Sequence, residues 1–165
     1  MTTTTVYFTT IETPIGSLAL AGDSSALCAI SFEPARRQWT RDDARLEDAR
    51  RQLEEYFAGQ RTAFDLRLAL EGTDFQKRVW RALLAIPYGA TASYGEIARA
   101  IGAPGAARAV GGANHNNPIP IIVPCHRVIG ADGSLTGYGG GERRKRHLLE
   151  LERVHRLTSR SGRAA

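Results

Sequence analysis

The period of hydrophobic and polar positions changes near residue 72, and the change separates two regions of the chain. Before it, "TVYFTTIE", "IGSLALAG" and "SALCAISF" are short apolar-rich runs bounded by turn residues, which predicts three strands, the first two joined through Pro14-Ile15-Gly16. "DDARLEDARRQLEEYFAG" places Leu46, Ala49, Leu53 and Phe57 at helical spacing, with Gly59 as a stop. "AFDLRLAL" then alternates with period two, putting Phe64, Leu66, Leu68 and Leu70 on one face of a further strand. The expectation is a three- or four-stranded sheet with one helix, closed near Gly72.

After residue 72 the helical period takes over. Thr73 and Gln76 form a capping box ahead of "FQKRVWRALLAI", whose Phe75, Val79, Leu83 and Ile86 make an apolar face ended by Pro87-Tyr88-Gly89. Ser93 and Glu96 form a second capping box for "YGEIARAI", which Gly102 closes. Pro104 stands where a helix would open, ahead of "GAARAVGGANH". Two short helices joined by Gly-Ala-Pro have the grammar of a helix-turn-helix. The expected class is therefore α+β: a small sheet-and-helix domain over residues 1–71 and a mostly helical domain with a helix-turn-helix over 72–155. The polar "SRSGRAA" end, within residues 156–165, is expected to be a disordered tail.

Charge sharpens the division. Residues 1–81 carry 11 Arg/Lys against 12 Asp/Glu, a net −1, whereas residues 82–165 carry 11 against 5, a net +6, so the formal charge of +5 comes wholly from the second half. That asymmetry fits either an anionic partner, nucleic acid being the usual one, or a merely basic solvated surface. The 165 residues suit one domain or two small lobes, without a membrane-length apolar run or a signal-like start, and a soluble cytoplasmic protein is expected. Cys28 and Cys125 are too few for a disulfide framework or a cysteine-rich zinc site, and no metal or cofactor is expected.

The second helix of the pair is unusual in content. Gly105, Ala106, Ala107, Ala109, Gly111 and Gly112 leave it almost without bulk, and Arg108 stands among them. A base-edge code in the major groove needs several long polar side chains. A smooth helix with one arginine instead suits close approach to a minor groove, with the arginine inserted into the stack; close packing inside the protein would use small residues too.

The densest chemistry lies in "NNPIPIIVPCHRVIG", residues 116–130. Pro118, Pro120 and Pro124 restrict the backbone and remove ladder donors, while Ile119, Ile121, Ile122 and Val123 mark the segment as buried. Such a segment ending at Cys125 holds one thiol in place. An ordinary thiol is only a few per cent ionised at neutral pH, so a nucleophilic Cys125 needs a base. Neighbours on a strand face opposite ways, so His126 can serve only if the chain turns at Cys125 or a water links the two.

"TDFQKRVWRALLAIPYGATASYGEIARAIG", "ARAVGGANHNNPIPIIVPCHRVIG" and "LTGYGGGERRKRHLLELE" closely resemble the O6-alkylguanine-DNA alkyltransferases, over roughly residues 72–152. Residues 1–71 resemble the family's variable N-terminal domain, which is ribonuclease-H-like. The resemblance implies a DNA repair protein that flips O6-methylguanine, and possibly O4-methylthymine, out of double-stranded DNA. It transfers the alkyl group irreversibly to its own cysteine, once. By resemblance Cys125 is the acceptor, His126 takes its proton through a water, Glu152 orients His126, and Asn117 is a hinge to the recognition helix. Arg108 replaces the flipped base, and Tyr94 rotates the 3′ phosphate and meets the guanine. Ala106, Ala107 and Gly111 join Tyr94 and Arg108 on the DNA side, and Val128, Tyr138 and Gly139 join Tyr94 around the base. Many relatives carry serine where this chain has Gly139, which bears on substrate range. The resemblance also implies a monomer with no obligate protein partner and no membrane. Two other readings remain: a cysteine hydrolase using Cys125, His126 and Glu152, and a lesion binder without chemistry, against which Cys125 itself argues.

Overall fold

The computed structural model describes residues 4–135 and 138–163, with side chains as far as Arg156. The chain forms two compact units, Met1–Glu71 and Gly72–Ala165, and the α+β class is the one observed.

In the first unit β1 (Tyr7–Thr13) and β2 (Gly16–Gly22) form an antiparallel hairpin registered from Tyr7↔Gly22 to Thr13↔Gly16. Its tight turn is held by Thr13, whose hydroxyl accepts the Ile15 N–H at 3.1 Å and donates to the Gly16 carbonyl at 2.7 Å. β3 (Leu27–Ser31) pairs antiparallel with β2, and β4 (Thr40–Arg41) pairs parallel with β1, giving the order β3-β2-β1-β4. β4 is a strand the sequence pattern did not indicate: its two residues are both exposed, so neither period could register. β2 is central, and Leu18, Ala19, Leu20 and Ala21 are buried on both its faces.

α1 spans Glu47–Phe57, starting later than the helical spacing suggested. The acidic residues ahead of it build the preceding turn instead: Asp43 accepts from the Thr9 hydroxyl at 2.7 Å and Asp42 from the Arg45 N–H at 3.2 Å. Residues 63–70 correct a further expectation. Phe64, Leu66 and Leu68 do alternate with exposed Asp65 and Arg67, but the only pairing is one bridge, Leu68 to Leu27. Gln52 of α1, itself buried, takes the place of a strand partner for Asp65. Its side-chain carbonyl accepts the Asp65 N–H at 2.8 Å and its amide donates to the Asp65 carbonyl at 3.0 Å. Period two records which face is covered, not which group bonds the backbone. Leu27 and Ile30 are the buried residues of β3, and Cys28 is half-buried.

In the second unit α2 (Asp74–Leu84) and α3 (Tyr94–Ala100) begin with the two reciprocal capping boxes, Thr73 with Gln76 and Ser93 with Glu96. Such caps contribute about 1 kcal/mol each. Val79, Trp80 and Leu83 of α2 are buried, and α2 and α3 both pack on α4 (Ala107–His115). α4 starts three residues after Pro104 rather than at it. Gly105 has a φ of 91°, which no helix contains, so the helix-turn-helix connection is longer than Gly-Ala-Pro. A 3-10 turn at Cys125–Arg127 leads into β6 (Val128–Ile129), which pairs parallel with β5 (Ala92–Ser93). α5 runs Glu142–Arg163, so the backbone of residues 156–163 continues a helix where composition suggested a disordered tail. A helix already nucleated extends at little cost per residue.

Candidate active site and nucleic-acid interface

The segment ahead of Cys125 owes its shape to prolines and side-chain amides rather than to a ladder. Asn117 accepts the Ile119 N–H at 3.0 Å and donates to the Val123 carbonyl at 2.7 Å, closing the run into a loop. Inside it Ile121, almost wholly buried, has a φ of 77°. For a β-branched residue that is a strained conformation, held by its surroundings. Pro124 then adopts φ −81° and ψ 65°, and the Cys125 N–H bonds the Val123 carbonyl at 2.8 Å, an inverse γ-turn. The Arg127 N–H reaches the Pro124 carbonyl at 3.0 Å and completes the 3-10 turn. The chain does turn at Cys125, as cooperation with His126 requires.

Behind this turn is a buried ionic network. His126 Nε2 lies 2.6 Å from Glu152 Oε2, with both side chains essentially without solvent exposure. Arg127 donates from Nε to Glu152 Oε1 at 2.9 Å, from Nη2 to Oε2 at 3.1 Å, and from Nη1 to the Ile86 carbonyl at 2.7 Å. The Gly89 N–H adds a further bond to Glu152 Oε1 at 3.0 Å. Burial by itself would raise the Glu152 carboxyl, but the hydrogen bond from His126 and the pairing with Arg127 outweigh it and hold the group at about 2. Burial holds the His126 imidazole below its ordinary value, against the pull of Glu152, so the ring is neutral at pH 7. Its Nδ1 is buried and has no hydrogen-bond partner among the described residues.

Burial pushes the Cys125 thiol up to about 11, opposed by the Asn117 side chain and the Lys145 charge. Lys145 is fully buried on α5, donates to the Val128 carbonyl and lies 5.9 Å from the centre of the Tyr94 ring. Burial lowers its amine, while Cys125 works the other way. Tyr138 is buried close enough to Cys125 to feel it, its phenol raised well above the ordinary value mainly by burial. Gly139 is exposed, yet a Cβ there would lie 2.8 Å from the His115 carbonyl, so serine would force the backbone away from the end of α4. Val128 is fully buried in the β5–β6 pair.

α4 presents Arg108, Ala109 and Gly112 to solvent, Gly105 is exposed in the turn before it, and a Cβ at Gly105 or Gly112 would meet open space. Ala106 and Ala107 are half-buried, and Gly111 lies against the Tyr94 ring. α4 has no side-chain cap at its N-terminus. Its far end is anchored to α2, where Trp80 Nε1 donates to the Ala113 carbonyl at 2.9 Å.

Arg127, Lys145 and Asn114 are the site residues that sequence reasoning passed over. Lys145 was legible: with Leu148 and Glu152 it occupies one face of α5, so a lysine and a glutamate share the apolar stripe. Among the described residues no group of three or more His, Cys, Asp or Glu is placed to hold a metal ion.

Comparisons with known proteins cover both units. Residues 6–70 match the family described as 6-O-methylguanine DNA methyltransferase, ribonuclease-like domain, and residues 74–154 match 6-O-methylguanine DNA methyltransferase, DNA binding domain. The chain is 61% identical over 153 residues to a methylated-DNA–protein-cysteine methyltransferase of Mycobacterium tuberculosis, covering 90% of this chain and 93% of that one. A constitutive protein of the same name from Bacillus subtilis is 44% identical over 158 residues, covering 90% and 96%. The crystal structure of Mycobacterium tuberculosis OGT in complex with DNA superposes with a TM-score of 0.87 at 61% identity, covering 90% of this chain and 94% of that one.

Proposed function

The chain belongs to the 6-O-methylguanine DNA methyltransferase family, and we propose that Cys125 is its alkyl acceptor, with His126 as base and Glu152 as the group that orients it. The protein is a DNA repair alkyltransferase acting on O6-alkylguanine in DNA, a methylated-DNA–protein-cysteine methyltransferase consumed by its own reaction.

The observation that carries the site is the turn at Cys125, which ends the extended run and puts a buried thiol next in sequence to a neutral imidazole whose Nδ1 has no partner among the described residues. His126 takes the thiol proton through a water, and the imidazolium that forms is stabilised by Glu152, ionised at any neutral pH. The sulfur attacks the alkyl carbon in line. The C–O6 bond breaks, its electron pair stays on the guanine, and donors around the base take up the charge. The positive Lys145 beside Cys125 favours the thiolate. The product is a thioether with no hydrolytic route back, so one molecule repairs one base.

Arg108, exposed on a helix almost without bulk, is the group that fills the stack when the base leaves it, with Ala106, Ala107 and Gly111 permitting the approach. Tyr94 meets the extruded base, and Tyr138, Gly139 and Val128 bound its pocket. Asn117 ties the acceptor loop together and serves as its hinge. Guanine is the main substrate base, and O4-methylthymine is a lesser one. The protein acts as a monomer on DNA in the cytoplasm; among the described residues no helix is long and apolar enough to cross a membrane.

The test is to mix the protein with a duplex containing O6-methylguanine and weigh the intact protein. The expected result is a gain of one methyl group per molecule, mapping to Cys125. Repeated turnover, or an adduct on Cys28, overturns the assignment.

A further inference from the structure

Asn114 lies on the inner face of α4, one turn beyond Val110, and is fully buried. Its Nδ2 donates to the carbonyl of Cys125 at 3.2 Å. The same side chain lies near enough to the hydroxyl of Tyr94, at the first position of α3, to act on it. One side chain of the recognition helix therefore touches both the residue that carries the thiol and the tyrosine assigned to the extruded base. Packing alone would be served by leucine; a buried amide is kept where polar groups need it.

The other bonds at this end of α4 do different work. Trp80 fixes the Ala113 carbonyl to α2, and Asn117 closes the loop over Ile119 and Val123. Neither of those bonds reaches Tyr94. Burial and the neighbouring Cys125 raise the Tyr94 phenol, while the Asn114 side chain lowers it.

We propose that Asn114 is a positioning residue for the transfer step, holding the Cys125 peptide and the Tyr94 hydroxyl in one frame so that a base seated against Tyr94 meets the sulfur in line. The proposal rests on the alkyltransferase reading above. In-line displacement is intolerant of misplacement, a shift of about 1 Å costing on the order of a hundredfold in rate. A base located by Tyr94 and a sulfur located by the 3-10 turn stay in register only if something joins them, and Asn114 is that joint.

Asn114→Leu keeps the volume and removes both polar contacts. Single-turnover transfer from an O6-methylguanine duplex at saturating protein is expected to slow about tenfold or more, with duplex affinity unchanged within about twofold. Tyr94→Phe and the double variant complete a cycle: because Asn114 acts partly through the hydroxyl, the double variant should be clearly faster than the product of the two single effects requires. Transfer by Asn114→Leu at the wild-type rate, or effects that simply multiply, overturns the proposal. If the leucine variant does not fold by circular dichroism, Asn114→Ser takes its place, with the same slowing expected and a wild-type rate again fatal. The wild-type protein, run alongside, separates the two readings. No methyl transfer by wild type defeats the family assignment of the site; transfer by wild type and variant alike defeats only the role of Asn114.

Discussion

Cys28 and Cys125 are the two thiols of this chain, and their surroundings are opposites. Cys28 sits in β3, which stays paired with β2 through a bulge at this residue, Ala21 facing Ala29 and Gly22 facing Leu27. Cys125 sits where the ladder fails. Three prolines, a strained Ile121, an inverse γ-turn and a 3-10 turn replace it, and side-chain amides stand in for strand partners. Burial raises both thiols, Cys125 to about 11. Resting acidity therefore does not distinguish the reactive cysteine. The difference is that an irregular backbone frees consecutive side chains from the alternation a regular strand imposes, which the proposed pairing of Cys125 with His126 requires.

The largest effect should come from exchanging the two thiols for hydroxyls. Cys125→Ser should abolish alkyl acceptance, and Cys28→Ser should leave both rate and stoichiometry as they were, read by intact mass after reaction with a methylguanine duplex. Loss of acceptance in the Cys28 variant would collapse the contrast.

A pH profile sharpens it further. His126 must be neutral to take the proton, and its pKa lies below the ordinary 6.5. The wild-type rate should therefore climb on the acid side of 6.5 and be flat at neutral pH. In His126→Ala the rate should follow free thiolate instead, rising towards pH 11 and falling about 10²–10⁴-fold below wild type at pH 7. Superimposable profiles would mean that the turn at Cys125 does not deliver a base.

Arg108→Ala asks whether access to the braced thiol, rather than the thiol itself, limits repair. Transfer from duplex DNA should fall roughly ten- to a hundredfold, while reaction with free O6-benzylguanine, which needs no extrusion, should change little. Equal losses on both would make Arg108 a structural residue.

The smallest effect concerns stability. The Glu152 carboxylate is favoured in the folded state, with its pKa lowered from 4.5 to about 2. Its contribution is complete above pH 4.5 and fades as pH falls towards 2, amounting to at most a few kcal/mol. Acid titration of denaturant midpoints should show that decline, and Glu152→Gln should flatten it. Among the described residues, no buried carboxylate comparable to Glu152 lies in β3 around Cys28.

Much of this could be read along the chain. Both capping boxes, the apolar face of α2, the hairpin and the α+β division followed from period and punctuation, because those signals are local and the structure satisfies them locally. The lapses share a cause. Residues 63–70 carry a strand's period without a strand's bonds, since Gln52 supplies the partner from a helix 13 residues away in sequence. Pro104 marks a helix start only where the next residues can be helical, and Gly105 is not. Arg127 and Lys145 read as members of basic runs until folding buries them against Glu152 and beside Cys125.

The sequence by itself determined the local grammar and the identity of the reacting groups. Prolines 118, 120 and 124 forbid a ladder, and the Cys125-His126 pair supplies a candidate nucleophile and base. The family motifs are equally a matter of residue order. Tertiary structure alone decided which groups meet. Glu152 lies 26 residues from His126 and becomes its partner only because α5 returns to the 3-10 turn. Asn114 reaches both Cys125 and Tyr94 only because α4 packs between them. The protonation states follow from the same enclosure: a carboxylate at about 2 and a thiol at about 11 are properties of burial and pairing, which no stretch of residues possesses until the chain closes around it.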